Sequence, residues 1–172
     1  HLGYLLDIYF QTQRIVMKAT WVEMGLSCIL VVMLLWAIAS IKEPRMLTDV
    51  RERYDVLLTH LRQTQQVDSR FEILRRHEPL LTGIDSSRMT NGTIGYNVNK
   101  GYEIYMCIDA EGSLDAAMHV LIHELAHMTV PEYDHTDAYW QNFKDLRELC
   151  KTLGLLTEHS EPMTYCGGQI TV

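Results

Sequence analysis

The chain is predicted to fold as an α+β domain, a short antiparallel sheet with packed helices, behind an N-terminal apolar segment. Three observations predict this. Apolar residues recur at helical spacing in three stretches after Pro44. Two short alternating runs flank an Asn/Gly-bearing turn near residue 100. Ahead of both, residues 25–41 carry no charged side chain. The division expected is a flank at 1–21, a transmembrane anchor at 22–43 and one domain at 44–172. About 130 residues are enough for a single domain with its own core.

The chain begins with His1, and Met17 is a candidate natural start. The segment GLSCILVVMLLWAIASI, 25–41, falls at the short end of the roughly 17–25 residues that span a bilayer. A single-span anchor is favoured. A cleaved signal peptide, with Ala37-Ile38-Ala39 ahead of Ser40, and a buried helix are the alternatives. Arg14 and Lys18 precede the segment, whereas Lys42, Arg45, Arg51 and Arg53 follow it. Positive charge concentrates on the cytoplasmic side, so the following domain is expected there, on a single-pass membrane protein.

The stretch TDVRERYDVLLTHLRQ places Val50, Tyr54, Leu57, Leu58 and Leu61 on one face of a helix that starts near Thr48 or Asp49. Its charged face is expected to be solvated, with His60 at its boundary and His77 at the surface. FEILRRHEPLL, 71–81, fits a strand or a helix and is limited by Pro79. Gly83 to Gly92 is rich in turn formers and reads as a loop; Asn91-Gly92-Thr93 is a formal sequon and more simply a turn. Thr93–Val98 and Glu103–Ile108 form the hairpin. Tyr102 to Met106 is a candidate edge for an extended substrate to pair with.

Ser113 to Thr129, SLDAAMHVLIHELAHMT, is predicted to be a buried helix, capped by Ser113 and with Asp115 in its first turn. Apolar residues lie on nearly every side, so His123, Glu124 and His127 sit where unpaired polar groups are costly. Residues four apart share a face about 6 Å apart along the axis, so two imidazoles can close on one ion. Glu124 lies beside them, placed to take a proton from water on that ion. A catalytic zinc takes three protein ligands and keeps one open position. Pro131 ends the helix, and His135 follows a short loop as the favoured third ligand, with Glu132, Asp134 and Asp137 as rivals. His119 stacks on the same face but is about 12 Å from His127 along the axis, which leaves it outside the ligand set. Thr136 and Gly154 bound a last helix, Asp137 to Leu153, whose Trp140, Phe143, Leu146, Leu149 and Cys150 are expected to pack in the core. Tyr133 and Tyr139 are candidates to donate to a developing oxyanion, or simply to pack. The tail around Tyr165, Cys166 and Gly167 reads as irregular.

The run HELAH, a short loop and then HTDAYWQNF resembles the zincin-like metallopeptidases of the WLM, SprT and YgjP group. GYNVNKG at 95–101 and YCG at 165–167 are similar to segments of the membrane-anchored WLM-like proteins of large DNA viruses. The resemblance covers roughly the last eighty residues. It implies a small zincin-like metallopeptidase domain, Zn2+ on His123, His127 and His135, Glu124 as the catalytic base, and a peptide or protein substrate. Peptide-bond hydrolysis is the expected chemistry. Two further readings stand beside it: an inactive zincin-like membrane-tethered protein-binding module, and a DNA–protein crosslink protease of the SprT kind. A net charge of −7, with 22 acidic against 15 basic side chains, disfavours nucleic acid as a partner. The four cysteines include no CxxC pair, which argues against a zinc ribbon. Cys107 and Cys150 are expected as reduced core residues. For Cys166 a structural role is favoured over a thiolate reaching the metal.

Overall fold

The computed structural model describes residues 24–38, 43–89, 92–108, 113–157 and 161–170. The flank 1–21 with Met17, the ends of the predicted anchor and Asn91 of the sequon lie outside them. The chain divides into two units, His1–Lys42 and Glu43–Val172. In the first, residues 24–38 form one helix, α1, with its large apolar side chains exposed along its length. No helix among the described residues is long and apolar enough to cross a membrane.

The second unit is α+β. Its first helix, α2 (Arg45–Gln63), begins three residues earlier than the sequence suggests, with the Pro44 carbonyl accepting from the Leu47 and Thr48 amides and no side-chain cap. Val50, Tyr54, Leu57, Leu58 and Leu61 are all buried, as the spacing predicts. Its charged face is not merely solvated. Arg51 donates to the Leu81 carbonyl, and Arg53 bonds Asp115 at 2.6 Å and the Leu155 carbonyl at 2.7 Å. The ambiguous stretch after it divides: a short helix, α3 (Glu72–Arg76), precedes Pro79, and a strand, β1 (Leu80–Ile84), follows it.

The hairpin forms as β2 (Gly95–Val98) and β3 (Glu103–Cys107), with Asn99, Lys100 and Gly101 at positive φ in its turn. The sheet is mixed rather than antiparallel. Its order is β1-β3-β2, with β1 parallel to β3 and β2 antiparallel to it. No tight turn joins β1 to its partner, so the intervening loop and β2 make the crossover that a parallel pair requires. This order also corrects the expected substrate edge: β3, which holds Tyr102–Met106 in large part, is central and paired on both sides. β2 is an edge.

Helix α4 (Leu114–Met128) occupies the middle of the unit, packed by α2, β2, β3 and the last long helix, α5 (Asp137–Thr152). Leu121, Ile122 and Leu125 are fully buried. Ser113 caps α4 by accepting from the Ala116 amide at 3.1 Å, and Thr136 caps α5 through Tyr139. Trp140 departs from the expected core stripe and is half exposed. The tail is not irregular but a hairpin, β4 (Met163–Tyr165) and β5 (Gly168–Ile170), turning through Cys166 and Gly167 at positive φ. Cys166 is disulfide-bonded to Cys107. Cys107 is therefore not a reduced core thiol, and Cys166 is not offered to a metal. Cys150 is free and buried, as expected. The reason is topological: β3 ends where the terminal hairpin turns, and Tyr165 Oη donates to the Cys107 carbonyl at the same point.

Candidate metal centre

Helix α4 sets the two histidines one turn apart. The His123 and His127 rings stand 5.1 Å apart, centre to centre. The chain leaves α4 at Thr129, crosses a short loop and returns His135 to within 4.9 Å of the His123 ring and 4.8 Å of the His127 ring. Nε2 of His135 lies 3.1 Å from Nε2 of His123. One ligand atom from each of the three lies within 4.8 Å of the others, a spacing that could hold a metal ion. Two nitrogens on one tetrahedral zinc, each about 2.0–2.1 Å from it, sit roughly 3.3 Å apart. The donor set fits zinc. Glu132, Asp134 and Asp137 are not part of this group.

Tyr139 underlies all three rings. It is wholly buried, its ring centre is 4.4 Å from that of His127 and 4.6 Å from that of His135, and its hydroxyl donates to the His123 carbonyl at 3.3 Å. It supports the trio and does not face the cleft. Tyr133 is exposed and lines the cleft. The end of α4 is fastened to α5 by a partly buried polar chain, in which Arg70 donates to Asn142 at 2.8 Å and Asn142 to Thr129 at 2.9 Å.

Glu124 is 6% exposed. Burial pushes its carboxyl up to about 7, against the pull of the Asn97 amide. Asn97 Nδ2 donates to Glu124 Oε2 at 3.2 Å and to its carbonyl at 3.3 Å. A carboxyl so placed titrates where a general base is most useful. Burial acts oppositely on His123 and His127, lowering both to about 4, so they present unprotonated nitrogens at neutral pH. His119 lies farther along the helix, 8% exposed, its ring edge-on to Phe143 at 5.2 Å. It stands apart from the trio.

Edge strand β2 runs close over α4. A Cβ on Gly95 would lie 2.5 Å from a Val120 methyl and 3.5 Å from Glu124 Oε1. Cys107 N–H bonds the Ile94 carbonyl, and the antiparallel alternation then turns the backbone of Tyr96 and Val98 toward β3. The backbone of Gly95 and Asn97 turns outward, beside the cleft. Lys100 in the hairpin turn reaches across to the loop that carries His135. Its Nζ donates to the carbonyls of Val130 (3.2 Å), Pro131 (2.6 Å) and Glu132 (2.6 Å), and lies 4.2 Å from the centre of the Tyr133 ring. His123, Glu124 and His127 are legible from spacing alone, whereas spacing leaves His135 beside its rivals Glu132, Asp134 and Asp137. The roles of Gly95, Asn97 and Lys100 are not legible that way, although all three fall in the GYNVNKG segment.

No family model matches the chain, and no solved structure matches it. It is similar to an uncharacterized protein of Acanthamoeba polyphaga mimivirus, 31% identical over 80 residues. That stretch is 42% of this chain and 41% of the viral protein, so the chain spans well under half of that relative's length.

Proposed function

We propose that the domain is a zinc-dependent metallopeptidase, related to the WLM- and SprT-like enzymes, that hydrolyses peptide bonds. The observation that carries this reading is the convergence of three imidazoles beside a buried carboxylate under a free strand edge. His123, His127 and His135 would hold the zinc. When bound, the ion supplies Lewis acidity, acidifying a water and polarising the scissile carbonyl.

The chain's own residues do the rest. The outward N–H and C=O groups of Gly95 and Asn97 pair with an extended peptide and hold it in register across α4. Glu124 takes the proton from the attacking water and hands it to the amide nitrogen as the carbon–nitrogen bond breaks. Asn97 keeps one Glu124 oxygen fixed while the other is free to face that water. Tyr139 holds the His123 turn of α4 against α5, which keeps the three rings together.

Glu124→Gln is expected to retain zinc and lose turnover by a factor of about 10² or more, whereas His135→Ala loses most of the zinc. Metal content and peptide hydrolysis, measured on the same preparations, check both. Undiminished hydrolysis by purified Glu124→Gln would overturn the assignment.

The exposed apolar surface of α1 supports a membrane tether ahead of the domain. For the domain itself, the Cys107–Cys166 disulfide favours an oxidising surrounding over the cytoplasmic placement expected from the flanking charges.

A further inference from the structure

Two hollows meet at Glu124. The first, about 260 Å³, is polar and holds Tyr96, Asn97, Lys100, Glu132 and Tyr133 beside His123 and His127. The second, about 370 Å³, lies along the other part of β2 and shares Gly95, His123 and Glu124 with the first. Its character differs. Ile94, Val120, Trp140, Phe143 and Ile170 give it five large apolar side chains, and among the described residues no Lys, Arg or Asp lines it. Among the described residues Glu124, at the boundary, is its only acid, and Thr93, His119, His123 and Gln169 add polar atoms.

Three features mark the second hollow as built rather than incidental. It is continuous with the candidate metal centre through His123 and Glu124, so anything in it lies within a residue's reach of the scissile bond. Gly95 lets β2 close directly onto α4 at Val120 along this side, since a Cβ there would lie 2.5 Å from a Val120 methyl. One wall comes from the end of the chain: β5 packs Gly168 against Ile94, a Cβ there lying 3.2 Å from an Ile94 methyl, and presents Gln169 and Ile170 to the hollow. That wall is pinned by the Cys107–Cys166 disulfide and by Tyr165 on the Cys107 carbonyl. His119, neutral because burial lowers it to about 4, brings no charge into the apolar lining.

We propose that this hollow is the side-chain subsite of the cleft and takes one large apolar side chain, aromatic or long aliphatic, from a residue flanking the scissile bond. The proposal rests on the metallopeptidase reading. Successive side chains of a peptide paired with β2 point to opposite faces, so one of the two residues flanking the scissile bond turns toward this hollow and the other turns away. The volume stands near the small end of the roughly 300–1,000 Å³ of ligand pockets, suited to one side chain rather than a whole ligand. A phenyl ring fits the chemistry best: it loses water on both faces and can pack against the Phe143 and Trp140 rings that line the hollow.

The test uses the zinc-loaded full chain and two peptide hydroxamates, alike except that one carries a benzyl group and the other a hydrogen at the flanking position. By titration calorimetry the benzyl compound should bind about 10- to 100-fold more tightly, the return on burying that ring. Trp140→Ala and Gln169→Trp, both at exposed rim positions, should each reduce that ratio several-fold. The hydrogen-bearing compound reports the metal site separately in each variant. Equal affinities in the unaltered protein overturn the subsite and leave the metallopeptidase reading standing. A ratio unchanged in both variants puts the ring elsewhere and also overturns it. If neither hydroxamate binds the zinc-loaded chain, the metallopeptidase reading falls and the subsite falls with it.

Discussion

Gly95 decides how near the edge strand comes to α4. Its missing Cβ lets β2 lie against Val120, and that closeness brings the Asn97 amide to Glu124. Gly95→Ala should therefore cost about 1–3 kcal/mol of stability through overpacking and lower turnover further by loosening Asn97; denaturant midpoints and peptide hydrolysis would read the two effects. Such a contact joins a strand to a helix at a register that no local pattern specifies. The His-Glu-His set, by contrast, was legible in the sequence because i and i+4 on a helix are neighbours whatever surrounds them. The same residues govern acid behaviour. His119, His123 and His127 hold protons less tightly when folded, at about 4, than at the ordinary 6.5. The folded chain thus binds fewer protons than the unfolded one, and metal-free protein should lose stability as pH falls from about 6.5 toward 4. Glu124 opposes this, since its raised value stabilises the protonated form and that contribution fades from 4.5 up to about 7. Three imidazoles outweigh one carboxyl in the shared window. Thermal melts of chelator-treated protein should show a midpoint that drops on acidification.

At the level of elements, the turn between β2 and β3 acts on the loop between α4 and α5. Lys100 holds three consecutive carbonyls of that loop, and His135 lies three residues beyond the last of them. Lys100→Met removes the donor while keeping the length of the stem. It should weaken zinc binding about 10-fold, in the range seen when groups that orient metal ligands are lost; competition against a coloured chelator would measure it, and Lys100→Arg should restore part of the loss. Helices α4 and α5 are closely legible in the sequence because Ser113 and Thr136 are cap residues ahead of periodic apolar runs. The terminal hairpin was not foreseen. Each of its strands has three residues, too few for alternation to stand out, and its turn places Cys166, a residue type uncommon there, at positive φ ahead of Gly167.

Across the whole molecule, the α+β class followed from the sequence, while the mixed sheet did not. The parallel pairing of β1 with β3 is decided by what the rest of the domain leaves uncovered, not by a turn signal. Cys107 and Cys166 are 59 residues apart in sequence, and that separation hides their pairing. Closing a loop of that length is worth about 4 kcal/mol in the chain-entropy account. Cys166→Ser should approach that loss in equilibrium unfolding, and adding a thiol reductant to the unaltered protein should have the same effect. Since the bond also holds one side of the hollow proposed as a subsite, the oxidation history of a preparation would become a variable of the proposed selectivity. Material made in a reducing host would carry the right residues with one jamb of the doorway unhung, and would choose among peptides less sharply until air or an oxidase closed the latch.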